Sequence, residues 1–164
     1  MKGLANTMRV GAALSVCLLL AGPVRGQEAK PGEQPQVVKG SRDIKWGDVP
    51  PTLPRGAKMA VMHGDPGKPG PFTVMLKLPP NYRIPAHWHS QDENVVVISG
   101  LFYAGMGDRI DMTKAVALQR GAYVFMPARM HHFAVIRGPT LIEIHGNGPF
   151  DINYINPADD PQKK

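Results

Sequence analysis

Five of the six histidines fall between residues 87 and 145, and four of them form two tight clusters. The first cluster reads Ala86-His87-Trp88-His89-Ser90-Gln91-Asp92-Glu93. On a strand, residues two apart share a face, so His87 and His89 can bring both imidazoles to one point. Glu93 lies four residues further on, far enough to round a kink and return a carboxylate to the same side. Asp92 offers the same group one residue earlier. The second cluster reads Met126-Pro127-Ala128-Arg129-Met130-His131-His132-Phe133. Adjacent strand residues point to opposite faces, so only one of His131 and His132 can join the first cluster without distortion. Neutral imidazole and carboxylate together are the ligand types of divalent first-row metals.

Other chemistry is sparse. The chain has no Ser/His/Asp set, no glycine loop of the kind that cradles phosphate, and no paired carboxylates away from Glu93. His63 precedes the turn sequence Gly64-Asp65-Pro66-Gly67 and is expected at the surface. Trp88 alternates with the two candidate ligands and should face away from them. His145 is expected as a hydrogen-bonded barrel residue rather than a further ligand. It shares a strand face with Glu143, and that face is either exposed or lines a polar pocket. In a pocket, the pair would orient a substrate or relay a proton.

The elements that must position these residues are short. Apolar runs alternate with Pro and Gly punctuation at Ala57–Met62, Phe72–Leu78, Asn94–Ser99, Leu101–Gly105, Ala115–Leu118, Tyr123–Met126, Phe133–Ile136, Thr140–His145 and Ile152–Ile155. Phe72, Val74, Leu76 and Leu78 share one face of their run, and Thr73, Met75 and Lys77 share the other. Gly100 closes a tight turn that needs positive φ. One helical turn is expected near Asp111–Lys114. Many short strands without βαβ alternation predict an all-β closed barrel or sandwich.

The first 26 residues are expected to be a cleavable signal peptide. Lys2 and Arg9 precede an apolar run from Val10 to Ala21, and Val24 and Gly26 fit a cleavage site. The run is shorter than the about 20 apolar residues that span a bilayer, so no stable membrane anchor is expected. The expected location is periplasmic or secreted. Cys17, the single cysteine, would leave with the leader. The remaining 138 residues could form no disulfide and offer no thiol ligand. Loss of Lys2, Arg9 and Arg25 would lower the net charge from +6 to +3. No basic run longer than Lys163-Lys164 remains, which excludes a nucleic-acid patch. The division expected is a leader at 1–26, a flexible segment at 27–45, a barrel at 46–157 and a solvated tail at 158–164. Ile44 and Trp46 have no evident core role, and Ile44–Leu53 is expected to pack across a partner subunit in a homodimer.

The two clusters resemble the paired motifs of the cupin superfamily. The first motif has the form G-x5-H-x-H-x3-E-x6-G. His87, His89, Glu93 and Gly100 match it, with Asn81 in place of the leading glycine. The second has the form G-x5-P-x-G-x2-H-x3-N. Gly121, Pro127 and His132 match, while Arg129 replaces the second glycine and Ile136 the asparagine. The resemblance covers residues from about 57 to 155 and extends to small exported single-domain cupins. It implies a double-stranded β-helix, or jelly-roll barrel, holding one divalent Fe, Mn, Co, Ni, Cu or Zn ion through His87, His89, Glu93 and His132. The motif spacing selects Glu93 over Asp92 and His132 over His131. Such a ligand set leaves open positions for a small molecule. Two functions follow. One is a mononuclear metal-dependent enzyme of dioxygenase or isomerase type, with Glu93 also serving as a base. The other is a non-catalytic module that binds or senses a metal or small ligand.

Overall fold

The computed structural model describes residues 39–163. The expected leader and most of the expected flexible segment lie outside the described residues. Among those described run eleven strands: β1 (Gly47–Asp48), β2 (Lys58–His63), β3 (Gly70–Leu78), β4 (Arg83–Trp88), β5 (Glu93–Ser99), β6 (Leu101–Met106), β7 (Ala115–Gln119), β8 (Tyr123–Met126), β9 (His132–Ile136), β10 (Thr140–Gly148) and β11 (Asn153–Tyr154). They form two antiparallel sheets, ordered β1-β2-β3-β10-β5-β8 and β11-β4-β9-β6-β7. The architecture is the expected all-β jelly roll. A 3-10 turn at Met112–Lys114, capped by the Asp111 side chain, stands where the helical turn was expected. Residues 157–159 and 161–163 form two more such turns.

Alternation along the strands builds the core. Phe72, Val74, Leu76 and Leu78 of β3 join Val95 and Val97 of β5 and Ile142 and Ile144 of β10 in one buried cluster. Each such side chain, fully buried, contributes about 1.5–3 kcal/mol. Across the pleat, Lys77 is exposed and sets its ammonium 3.9 Å from the centre of the Trp46 ring. Val49 packs on the core and Leu53 is part of it. The segment expected to seek a partner subunit therefore makes apolar and cation–π contacts within its own chain.

The structure corrects three local expectations. Arg83–Trp88 is a strand that the apolar runs did not mark, with Pro85 near its centre. The proline sits in a bulge: Ile84 pairs with Ala134 and His87 with His132, so three steps on β4 oppose two on β9. His89 lies just beyond the end of β4, not on it. Strand β10 runs three residues past the expected end at His145, because Gly146, Asn147 and Gly148 continue the ladder against Phe72, Pro71 and Gly70.

The turns keep the backbone of the motif even where its residues differ. Gly100 has φ +85°, and a Cβ there would lie 2.4 Å from the Pro139 carbonyl oxygen. Asn81 and Arg129, which replace motif glycines, have φ 63° and 65°. Asparagine tolerates this region, whereas an arginine there costs about 1–2 kcal/mol. Arg129→Gly should therefore stabilise the fold by about 0.5–1 kcal/mol, after the loss from a freer unfolded chain. A thermal melt checks this, with a rise of about 2–4 °C expected. A fall would mean that the exposed Arg129 side chain makes a contact worth more than the strain.

Candidate metal centre

The four residues singled out by spacing come together at one end of the barrel, and each stands at a strand end. His87 is near the end of β4 and His89 just past it, Glu93 opens β5 and His132 opens β9. All four are buried, with 3–6% of their surface exposed. One ring nitrogen from each of His87, His89 and His132 lies within 4.8 Å of the other two. The His87 and His132 rings, paired across β4 and β9, have centroids 4.2 Å apart. Glu93 approaches two of the three histidines: its Oε2 is 3.4 Å from His89 Nε2 and 3.3 Å from His132 Nε2.

Each imidazole is aimed by a backbone carbonyl. His87 Nδ1–H donates to the Pro85 carbonyl at 2.7 Å, His89 Nδ1–H to that of Asp151, and His132 Nδ1–H to that of Met130 at 2.9 Å. The bulge at Pro85 turns its carbonyl towards His87. With the ring proton on Nδ1, each Nε2 presents a lone pair. At His89 and His132 that lone pair meets the lone pairs of Glu93 Oε2, acceptor against acceptor. Both Nε2 atoms are buried without a hydrogen-bond partner. Unsatisfied buried polar atoms are costly, and a cation among them removes the conflict at once. The donor set therefore fits a divalent transition ion.

The charges of the metal-free chain agree. Burial, helped by the His132 and His89 rings, pushes His87 down to about 3, so it stays neutral. Burial also pulls His89 down, but the Glu93 carboxylate outweighs it and the net shift is upward. Burial raises Glu93, yet His132 and His89 more than offset this and hold it well below the usual carboxylate range.

Neighbouring candidates are placed elsewhere. Asp92 is exposed, and its Oδ1 accepts from the Ala128 N–H at 2.7 Å. His131 is exposed, with Nδ1 2.6 Å from Asp108 Oδ1. Glu143 and His145 are half-buried, 3.8 Å apart, on the face of β10 opposite to Ile142 and Ile144. The expectation that this pair serves the pocket is corrected: the β10 residue that lines the cavity at the histidines is Ile144. His63 is exposed.

Two supporting residues had no signal in the sequence. Phe150 stacks on the His89 ring, with centroids 4.3 Å apart and planes 22° from parallel. Asp151 aims His89 through its carbonyl, while its carboxylate accepts from Ser90 N–H at 2.7 Å, Ser90 Oγ at 2.6 Å and Asn153 Nδ2 at 2.8 Å. Both lie 61 or more residues from His89 in the chain, in a loop that matches no motif. A cavity of about 320 Å3 opens beside His87, His89 and Glu93.

Solved structures with this fold are similar in shape and distant in sequence. The polyketide cyclase RemF from Streptomyces resistomycificus superposes with a TM-score of 0.63 at 17% identity, covering 77% of this chain and 89% of that one. An RmlC-like cupin from Shewanella frigidimarina gives 0.54 at 14%, covering 69% and 91%. A sugar phosphate isomerase of the cupin superfamily from Silicibacter pomeroyi gives 0.50 at 20%, covering 60% and 65%. No curated protein matches the sequence. The family model described as a domain of unknown function, DUF4437, matches residues 26–153. The chain belongs to that family, and its two-sheet jelly roll has the fold of the cupins it superposes on.

Proposed function

We propose that this protein is a mononuclear metal-dependent enzyme of dioxygenase or isomerase type acting on a small organic molecule, with His87, His89, His132 and Glu93 holding the ion. The observation that carries the reading is the pair of buried, unpartnered Nε2 atoms of His89 and His132 facing Glu93 Oε2. The ion would supply Lewis acidity and a template for the substrate. The chain's own residues do the rest. Three carbonyls fix the imidazole tautomers, Phe150 braces His89, and the apolar cavity excludes water. Glu93 would take a proton from a bound molecule once the contacts with His89 and His132 that hold its carboxyl low are relaxed. Fold neighbours named as a polyketide cyclase and a sugar phosphate isomerase support an enzyme over a purely structural site.

The test is metal content followed by turnover. Protein purified from its own host should carry about one transition ion per chain. A strong chelator should lower its Tm by about 10 °C, since a ligand at a thousandfold excess over its Kd contributes about 4 kcal/mol. Glu93→Gln should keep metal on the three histidines yet cut turnover about 100-fold. A chain that never holds an ion sinks the proposal. If metal binds but a broad screen of small organic compounds with iron, manganese, nickel, copper and zinc forms gives no turnover, a binding module is the better reading.

A further inference from the structure

The cavity beside the histidines is polar at one end only. Eleven of its sixteen lining residues carry apolar side chains, from Met59 on β2 through Val74, Leu76 and Ile84 to Ile144 and Phe150. Apart from His87, His89 and Glu93, its one polar side chain is that of Thr52, whose carbonyl accepts from the Tyr154 hydroxyl at 2.8 Å. Among the described residues that line it, none is Lys, Arg or Asp. A phosphate, a second carboxylate or a run of sugar hydroxyls placed here would lose its water and gain no partner, which costs more than the apolar walls return. A volume of about 320 Å3 corresponds to about ten water molecules of liquid, room for a body of one or two rings.

We infer that the substrate of this site is a small neutral molecule with an apolar, ring-sized body and an oxygen-donor head, and that the walls formed by Met59, Val74, Ile144 and Phe150 reject anionic and sugar-like compounds. This rests on the metal reading for the head and on the cavity alone for the body. The oxygen-donor head faces His87, His89 and Glu93. The body runs between β3 and the Phe150 loop, where the Phe150 ring already packs on that of Phe72, with centroids 5.1 Å apart and planes tilted by 52°.

Three hydroxamates with one head and different bodies test this on the zinc-loaded protein by calorimetric titration. Benzohydroxamate should bind at least about 10-fold tighter than acetohydroxamate, from burial of the ring. It should bind at least about 100-fold tighter than 4-carboxybenzohydroxamate, whose far carboxylate would be stranded. Met59 is half-buried, so Met59→Lys can bring an ammonium to the wall without closing the core. That variant should narrow the gap for the carboxylate probe by about 10-fold. A metal-free arm separates the two readings: indole at millimolar concentration should raise the Tm of chelator-treated protein, and indole-3-carboxylate should not. Indole stabilisation without any hydroxamate binding removes the metal reading and keeps the apolar cavity. Equal or tighter binding of either carboxylate probe overturns the inference. So does the absence of any gain from the ring in both arms.

Discussion

His132→Ala should lower metal affinity by about 1,000-fold or more, while His131→Ala should leave it within about 3-fold of the parent. The two residues are neighbours, and their fates are set by strand parity. His132 opens β9 facing His87 across the ladder, is 3% exposed, and presents a buried Nε2 with no partner. His131 points the other way, into solvent and onto Asp108. Changes to groups that merely orient a ligand typically cost 10–100-fold in affinity, so loss of a ligand nitrogen should exceed that range. His87→Ala and His89→Ala should fall with His132→Ala, because the ring nitrogens of all three converge within 4.8 Å. Competition against a coloured chelator measures each affinity. Far-UV circular dichroism separates loss of the site from loss of the fold. If His131→Ala empties the site and His132→Ala leaves it full, β9 is out of register by one residue. If none of the four changes matters, the cluster is not a metal site.

Legibility in the sequence followed the range of the interaction. Strand β3 was readable because Phe72, Val74, Leu76 and Leu78 alternate along it on the buried face, although Met75 on the other face is buried as well. The positions of His87, His89, Glu93 and His132 were readable because fixed spacing on strands and turns fixes direction. The positive φ at Asn81 and Arg129 was readable only through motif register, since neither residue type demands it. The bulge at Pro85 was not legible, because it shows only in the pairing with β9, 47 residues or more away in the chain. The Asp151 carbonyl and the Phe150 ring left no trace, because any residue supplies a carbonyl and a loop aromatic has many uses. Glu143 and His145 misled because alternation places residues on a common face without saying which face is inside. The decision there belongs to Ile142 and Ile144, whose burial turns the polar pair outwards.

Gly105→Ala should destabilise the protein by about 3 kcal/mol, the upper end of what overpacking costs. Gly105 on β6 stands directly opposite Phe133 on β9, one pair away from the Met106–His132 pair. The Phe133 ring lies across the glycine. A Cβ built there would sit 2.2 Å from the ring Cζ and 2.7 Å from one ring carbon beside it. A ring laid over a glycine on the next strand covers backbone that the glycine leaves bare, an arrangement that helps pin register. Phe133 is fully buried, so the ring can yield to a new methyl only by disturbing its packing. It must leave its rotamer or push β6 and β9 apart, and either movement begins one residue from His132. The expected Tm loss is about 10 °C, with weaker metal binding alongside it. Phe133→Leu alone should cost less, because it removes contacts without creating a clash. Combined with Gly105→Ala it should cost less than the sum of the two, since the shorter side chain makes room for the new methyl. A double-mutant cycle on thermal stability measures that coupling. Additive losses would show that the methyl at position 105 is resisted by something other than the ring. A Gly105→Ala protein that melts within 2 °C of the parent would show that Phe133 does not hold β9, and hence His132, in place.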